Sequence, residues 1–126
     1  MRAVNARHGM FLAAIALCSG QISCAQACTD DFRYGLSVSV VDRLTGAPIC
    51  DATVTATDGS HSETLKMLPR VPPADGGIDC LYLGAGERAG TYAIDARVDG
   101  RQTGTTGIEL TRDACHVVER AVRLEL

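Results

Sequence analysis

Few residues in this chain could do chemistry. Past residue 27 the only histidines are His61 and His116, and with Glu87 or Asp113 either could form a general base and its orienting carboxylate. Against that, His61 falls in a predicted turn and His116 opens a predicted strand beside a cysteine, positions that suit solvated or hydrogen-bonded structural histidines. No serine lies in a G-x-S-x-G, and no glycine run has phosphate-loop spacing, so Gly84-Ala85-Gly86 reads as turn geometry. Glu87-Arg88, ahead of Gly90-Thr91-Tyr92, is a candidate recognition pair or a surface ion pair of little energetic consequence. Asp30-Asp31, or Asp75 with Asp79, offers oxygen ligands for calcium, but the EF-hand spacing is missing and a solvated acidic face accounts for them. The expectation is no catalytic residue, no metal and no cofactor.

Cysteine is the other reactive group. Of six, Cys18 and Cys24 fall in the N-terminal segment, leaving Cys28, Cys50, Cys80 and Cys115, an even set that an oxidising compartment can pair. None belongs to a C-x-x-C, which argues against redox catalysis, and no histidine stands at zinc-finger spacing. Residues 1–27 read as an export signal: Arg2 and Arg7, then the apolar run Met10–Leu17, then small or polar residues. That run is too short to span a bilayer. Ser23-Cys24-Ala25 and Ala25-Gln26-Ala27 both fit the small-x-small rule, so the mature chain would start at Gln26 or Cys28. A lipid anchor at Cys18 or Cys24 is the alternative, poorly matched because Leu17 is bulky and Gln21 is polar. A genuine N-terminal helix packed on the domain is the remaining reading.

The 126 residues are enough for one domain, residues 28–126 after the signal, and 46% apolar content argues against disorder. Tryptophan is absent and aromatics make up 4%, so the core must come from Val, Ile, Leu and Ala, and no surface rich in stacking rings is available. The net charge of −3 becomes −5 once the signal takes Arg2 and Arg7 with it. A phosphate backbone would be repelled, so nucleic acid is not an expected partner.

The elements that must position these groups are strands. Gly35–Gly59 holds two alternating runs joined by Thr45-Gly46-Ala47-Pro48: Leu36, Val38 and Val40 share one face, and Val54 and Ala56 share another, opposed by Thr53, Thr55 and Thr57. Ahead of them Phe32 and Tyr34 are placed to cover the bottom of a core. Ser62–Leu68 is a third candidate strand with Leu65 and Met67 on one face, although its residues also suit a helix. Pro69–Asp79 is a Pro/Gly-rich loop, and Cys80–Leu83 a short strand. Gly84–Gly90 bridges into the cleanest strand, with Tyr92, Ile94, Ala96 and Val98 on one face and an Asp99-Gly100 hairpin at its end. The return strand, Gln102–Leu110, carries Ile108 and Leu110 inward, with Gly104 and Gly107 marking a bulge or an edge. His116–Leu126 closes the set, with Val118, Val122, Leu124 and Leu126 on a face that Arg120 interrupts. Seven short strands and no convincing helix predict an all-β sandwich.

Strand direction then suggests the cross-links. If each turn reverses the chain, Cys50 and Cys80 lie at one end and Cys28 and Cys115 at the other, predicting Cys50–Cys80 and Cys28–Cys115. Cys28–Cys50 with Cys80–Cys115 is the leading alternative.

Val38-x-Val40-Val41-Asp42-x-x-Thr45-Gly46-x-Pro48-Ile49, then Asp51-Ala52-x-Val54, Gly90-x-Tyr92 and Val98-x-Gly100, resembles the carboxypeptidase regulatory-like domain over about Gly35–Leu126. The resemblance implies a seven-stranded transthyretin-like, or Ig-like, sandwich. Asp51 stands where the family usually has Gly, and the four cysteines lie outside its general pattern. It implies an accessory role without chemistry: a non-enzymatic exported domain, structural or interacting, at the cell envelope or outside the cell, with a protein or polysaccharide partner. Its contact surfaces would be Pro69–Asp79 and Gly84–Gly90, with Tyr82, Glu87 and Arg88 as candidate contact residues. The alternative is a carbohydrate-binding module contacting through Tyr82, because related sandwiches bind starch. A third reading is a hydrolase like the transthyretin-like hydroxyisourate hydrolases, but their closing Tyr-Arg-Gly-Ser is replaced by Arg123-Leu124-Glu125-Leu126.

Overall fold

The computed structural model describes residues 27–70 and 79–126. The segment expected to be an export signal, apart from Ala27, the alternative anchor positions Cys18 and Cys24, and Asp75 therefore lie outside the described residues. Eight strands are present among the described residues: β1 (Tyr34–Val41), β2 (Thr53–Asp58), β3 (His61–Thr64), β4 (Lys66–Arg70), β5 (Asp79–Gly86), β6 (Gly90–Val98), β7 (Arg101–Leu110) and β8 (Arg120–Glu125). They form two four-stranded sheets, ordered β4-β5-β1-β8 and β3-β2-β6-β7. No helix among these residues is long and apolar enough to cross a membrane.

Period-two burial builds the core between the sheets. Leu36, Val38 and Val40 of β1 face Val54 and Ala56 of β2, Tyr92, Ile94, Ala96 and Val98 of β6, and Ile108 and Leu110 of β7, all buried as their alternation requires. Asp99 and Gly100 both take positive φ, the two-residue turn whose twist suits a hairpin. In β7 the register shifts opposite Tyr92 and Ile94, with Gly107 at φ +71°, so the expected irregularity is a bulge, and β7 is also an edge. Gly104 is required for a different reason: a Cβ there would sit 2.8 Å from the Ile94 carbonyl oxygen.

Four elements differ from expectation. Strand β5 does not stop at Leu83 but runs on through Gly84-Ala85-Gly86, expected as a turn, with Gly84 and Gly86 paired to Leu36 and Tyr34 of β1. The segment Ser62–Leu68 is two strands, because the chain changes sheets at Leu65: β3 pairs with β2, β4 with β5, and Leu65 is buried at the crossing. Met67 is consequently on an edge strand and 38% exposed rather than a core partner of Leu65. Pro69 and the residue after it pair with Cys80 and Asp79, so the loop expected at Pro69–Asp79 has paired ends, and residues 71–78 lie outside the described set. The last strand starts at Arg120, not His116. Val117 enters the core through an isolated bridge to Arg112, leaving its neighbour Val118 46% exposed.

Strand β8 runs parallel to β1, from Leu36 opposite Arg120 to Val41 opposite Glu125, whereas β5 runs antiparallel on the other side. The end where β1 begins is the base, and the end where it finishes is the top. Two disulfides link Cys28 to Cys115 at the base and Cys50 to Cys80 at the top.

Candidate functional site

The base gathers the groups with chemical potential. Glu87 follows β5 with φ +50°, and its backbone N–H donates to the Arg33 carbonyl at 2.9 Å. Its carboxylate accepts the Arg33 N–H at 2.9 Å and the Val117 N–H at 3.3 Å, and Oε1 lies 2.8 Å from Nδ1 of His116. Three segments, the lead-in to β1, the turn after β5 and the approach to β8, thus meet on one side chain. The hydrogen bond from His116 is the main reason the Glu87 carboxyl is held below its ordinary pKa, with the two backbone donors adding to it.

His116 is buried and held from both sides. Its backbone N–H and that of Cys115 donate to Asp113 Oδ1, at 2.7 and 2.8 Å, which lowers the Asp113 pKa. Its Nε2 lies 3.2 Å from the Thr29 hydroxyl. Arg112 reaches the Glu87 carbonyl at 2.7 Å and the Cys115 carbonyl at 3.4 Å. Residues Thr29, Asp30, Asp31, Phe32, Glu87, Arg112, Cys115 and His116 line an open cleft of about 320 Å³.

Thr29, His116 and Glu87 therefore stand in the order hydroxyl, imidazole, carboxylate, the connectivity of a nucleophile, its base and the group that orients the base. The same contacts also do structural work. Glu87, Asp113 and Arg112 direct their polar atoms at backbone groups of the loops that close this end, so the cluster is a clasp. Its existence follows from the disulfide, since Thr29 and His116 each follow one of the joined cysteines. That adjacency was available once Cys28 and Cys115 were paired, yet Thr29, Arg33 and Arg112 carry no motif of their own and sequence reasoning passed over them.

The other candidates are placed differently. Tyr82 is 1% exposed: its hydroxyl donates to the Ile49 carbonyl at 2.7 Å and accepts the Ala52 N–H at 3.1 Å, and burial pushes its pKa up. The expectation of Tyr82 as a surface contact is thereby corrected; it faces inward on β5 beside Cys80 and fastens the corner around Cys50. Glu87 pairs with His116 instead of Arg88, which is exposed and whose carbonyl accepts the Tyr92 hydroxyl at 3.2 Å. His61 opens β3 rather than sitting in a turn, and Glu63 two residues on accepts the Ala85 N–H, joining the two sheets. Phe32 is 63% exposed, its ring lying over Gly86 and edge-on to Tyr34, so it flanks the base without sealing the core. Asp30 and Asp31 are exposed. Among the described residues no three His, Cys, Asp or Glu side chains come together as metal ligands.

No family model matches the chain, and neither a curated protein nor a solved structure does.

Proposed function

We propose that this chain is an exported β-sandwich domain with a structural or interaction role at the cell envelope or outside the cell, and that it is a diverged carboxypeptidase regulatory-like domain. The observation that carries the reading is the placement of the two disulfides, one at each end of the sandwich, joining all four cysteines that follow the leader-like residues 1–27. Such cross-links persist in oxidising compartments and are rare in the cytosol. Its acidic surface and its clasped base suit a scaffold that presents loops to a partner. Of the Gly84–Gly90 segment, Gly84 and Ala85 are buried in β5, so the turn that follows β5, with Arg88 outward, is the part left as a candidate contact surface. Intact-mass measurement of the protein recovered from outside the cytosol tests this. A start at Gln26 or Cys28 with two disulfides and no lipid supports secretion, a lipid-modified cysteine makes it an anchored form, and four free thiols contradict export.

The Thr29–His116–Glu87 arrangement favours a second reading, a small hydrolase with Thr29 as nucleophile and His116 as base. Turnover of a nitrophenyl ester that His116→Ala abolishes, with the fold intact by circular dichroism, would favour it over the scaffold. Carbohydrate binding loses Tyr82 as its contact, so a pull-down on insoluble polysaccharides now tests the sandwich surface as a whole.

A further inference from the structure

A strand at the edge of a sheet leaves a row of backbone donors and acceptors open to another strand. Among the described residues the edges are β4 and β8 in one sheet and β3 and β7 in the other. Three of them are guarded. Strand β4 carries Pro69, which has no N–H to give, between Lys66 and Arg70. Strand β3 is only four residues long. Strand β7 is interrupted by the register shift opposite Tyr92 and Ile94, with Gly107 at φ +71°.

Strand β8 has none of these devices. Leu126 directs both of its backbone groups at the β1 side: its N–H donates to the Val41 carbonyl at 2.9 Å, and its carbonyl accepts the Arg43 N–H at 2.6 Å. Backbone groups alternate sides along a strand, so Leu124 and Val122 also face β1, and Ala121, Arg123 and Glu125 turn theirs to the open edge. The side chains of those three residues are exposed on the outer face. Leu124, buried, and Val122 and Leu126, half-buried, project into the sandwich.

The order Arg123-Leu124-Glu125-Leu126 is complementary to itself. Set antiparallel against a second copy about a two-fold axis through Leu124, Arg123 of each chain stands opposite Glu125 of the other, in a pair whose backbones exchange both hydrogen bonds. Leu124 then meets Leu124 in the closer, non-hydrogen-bonded position, and Val122 meets Leu126, which carries the apolar row from one sandwich into the next. Charge fixes the register. A slip of two residues sets Arg123 against Arg123 or Glu125 against Glu125, and a slip of one puts core side chains on the wrong face. Within one chain the Arg123 guanidinium and the Glu125 carboxylate are 3.9 Å apart and each more than half exposed, so both can turn to an outside partner.

We propose that β8 is a homodimer edge, through which a second copy of this chain joins the β4-β5-β1-β8 sheets of the two molecules into one. The inference names the partner for the interaction role proposed above and rests on that reading. It is measured on purified oxidised protein, so it stands or falls apart from export, which the intact mass decides.

Sedimentation equilibrium of that protein over a range of concentrations tests it, with Arg123→Glu and Glu125→Arg as variants that leave the core untouched and should match the parent by circular dichroism. The parent is expected to dimerise. Each single variant sets like charges opposite each other in both pairs and should weaken the dimer at least about tenfold. Mixing the two variants restores opposite charges in both pairs, so the mixture should associate as the parent does, as should the double swap Arg123→Glu/Glu125→Arg. Hydrogen exchange at the Arg123 and Glu125 N–H groups should slow as the parent is concentrated. A parent that stays monomeric at about 1 mM, leaving the edge to a strand of some other protein, overturns the proposal. Single variants that dimerise as the parent does, or a mixture that stays monomeric, overturn it as well.

Discussion

Replacing Tyr82 with phenylalanine keeps a buried ring in place and removes one oxygen. That oxygen serves two backbone groups of the corner around Cys50, the Ile49 carbonyl at 2.7 Å and the Ala52 N–H at 3.1 Å. Tyr82 is 1% exposed and Ile49 is buried, so water cannot readily replace the hydroxyl at the carbonyl, while the half-buried Ala52 N–H has better access to it. An unsatisfied buried group costs about 1–3 kcal/mol, so Tyr82→Phe should lose about 2–3 kcal/mol. For a domain of this size that lowers Tm by about 8–20 °C. Urea and thermal unfolding of the oxidised protein read both quantities, with Tyr92→Phe as the comparison. The Tyr92 hydroxyl makes one longer bond, to the Arg88 carbonyl at 3.2 Å in a partly exposed turn, and its loss should cost about 0.5–1 kcal/mol. A Tyr82→Phe variant within about 0.5 kcal/mol of the parent, or no less stable than Tyr92→Phe, would refute the assignment of Tyr82 as the fastener of that corner.

Removing Cys28–Cys115 by double alanine substitution should cost about 4.6 kcal/mol and removing Cys50–Cys80 about 3.7 kcal/mol by loop-closure entropy, so the first variant should have the lower urea midpoint. Glu87 and Asp113 titrate below their ordinary values of 4.5 and 3.8 in the fold, so the stability they contribute is complete above those values and is lost as pH falls through the lowered ones. Tm should therefore decline below about pH 5, and Glu87→Gln should flatten that decline; an unchanged slope would count against the clasp. Gly104→Ala forces a Cβ to 2.8 Å from the Ile94 oxygen and should cost about 1–3 kcal/mol, whereas Gly59→Asn, at φ +58° with open space around it, should be nearly neutral. Equal effects of the two in thermal unfolding would contradict the close approach of β6 and β7.

Much of the fold was readable because alternation is a local signal. Leu36, Val38 and Val40, or Tyr92, Ile94, Ala96 and Val98, announce their buried face from spacing alone, and Asp99-Gly100 announces its turn. The ends of the disulfides followed from strand direction. The crossing at Leu65 was hidden because a strand that changes sheets needs no Gly or Pro, only a buried residue at the bend. The start of the last strand was misplaced because Val117 and Val118 are adjacent: a non-strand bridge buries the first, where alternation from Leu126 back assigns the second. The base cluster was half visible. His116 and Glu87 stood out as titratable groups, while Thr29, Arg33 and Arg112 become partners only once a long-range cross-link brings their segments together.

An oxidised sandwich fastened at both ends is read directly by a non-reducing peptide map of the protein recovered from outside the cytosol. The map should yield one linked pair containing Cys28 and Cys115 and another containing Cys50 and Cys80. Peptides joining Cys28 to Cys50, or Cys80 to Cys115, or four alkylatable thiols, would contradict it.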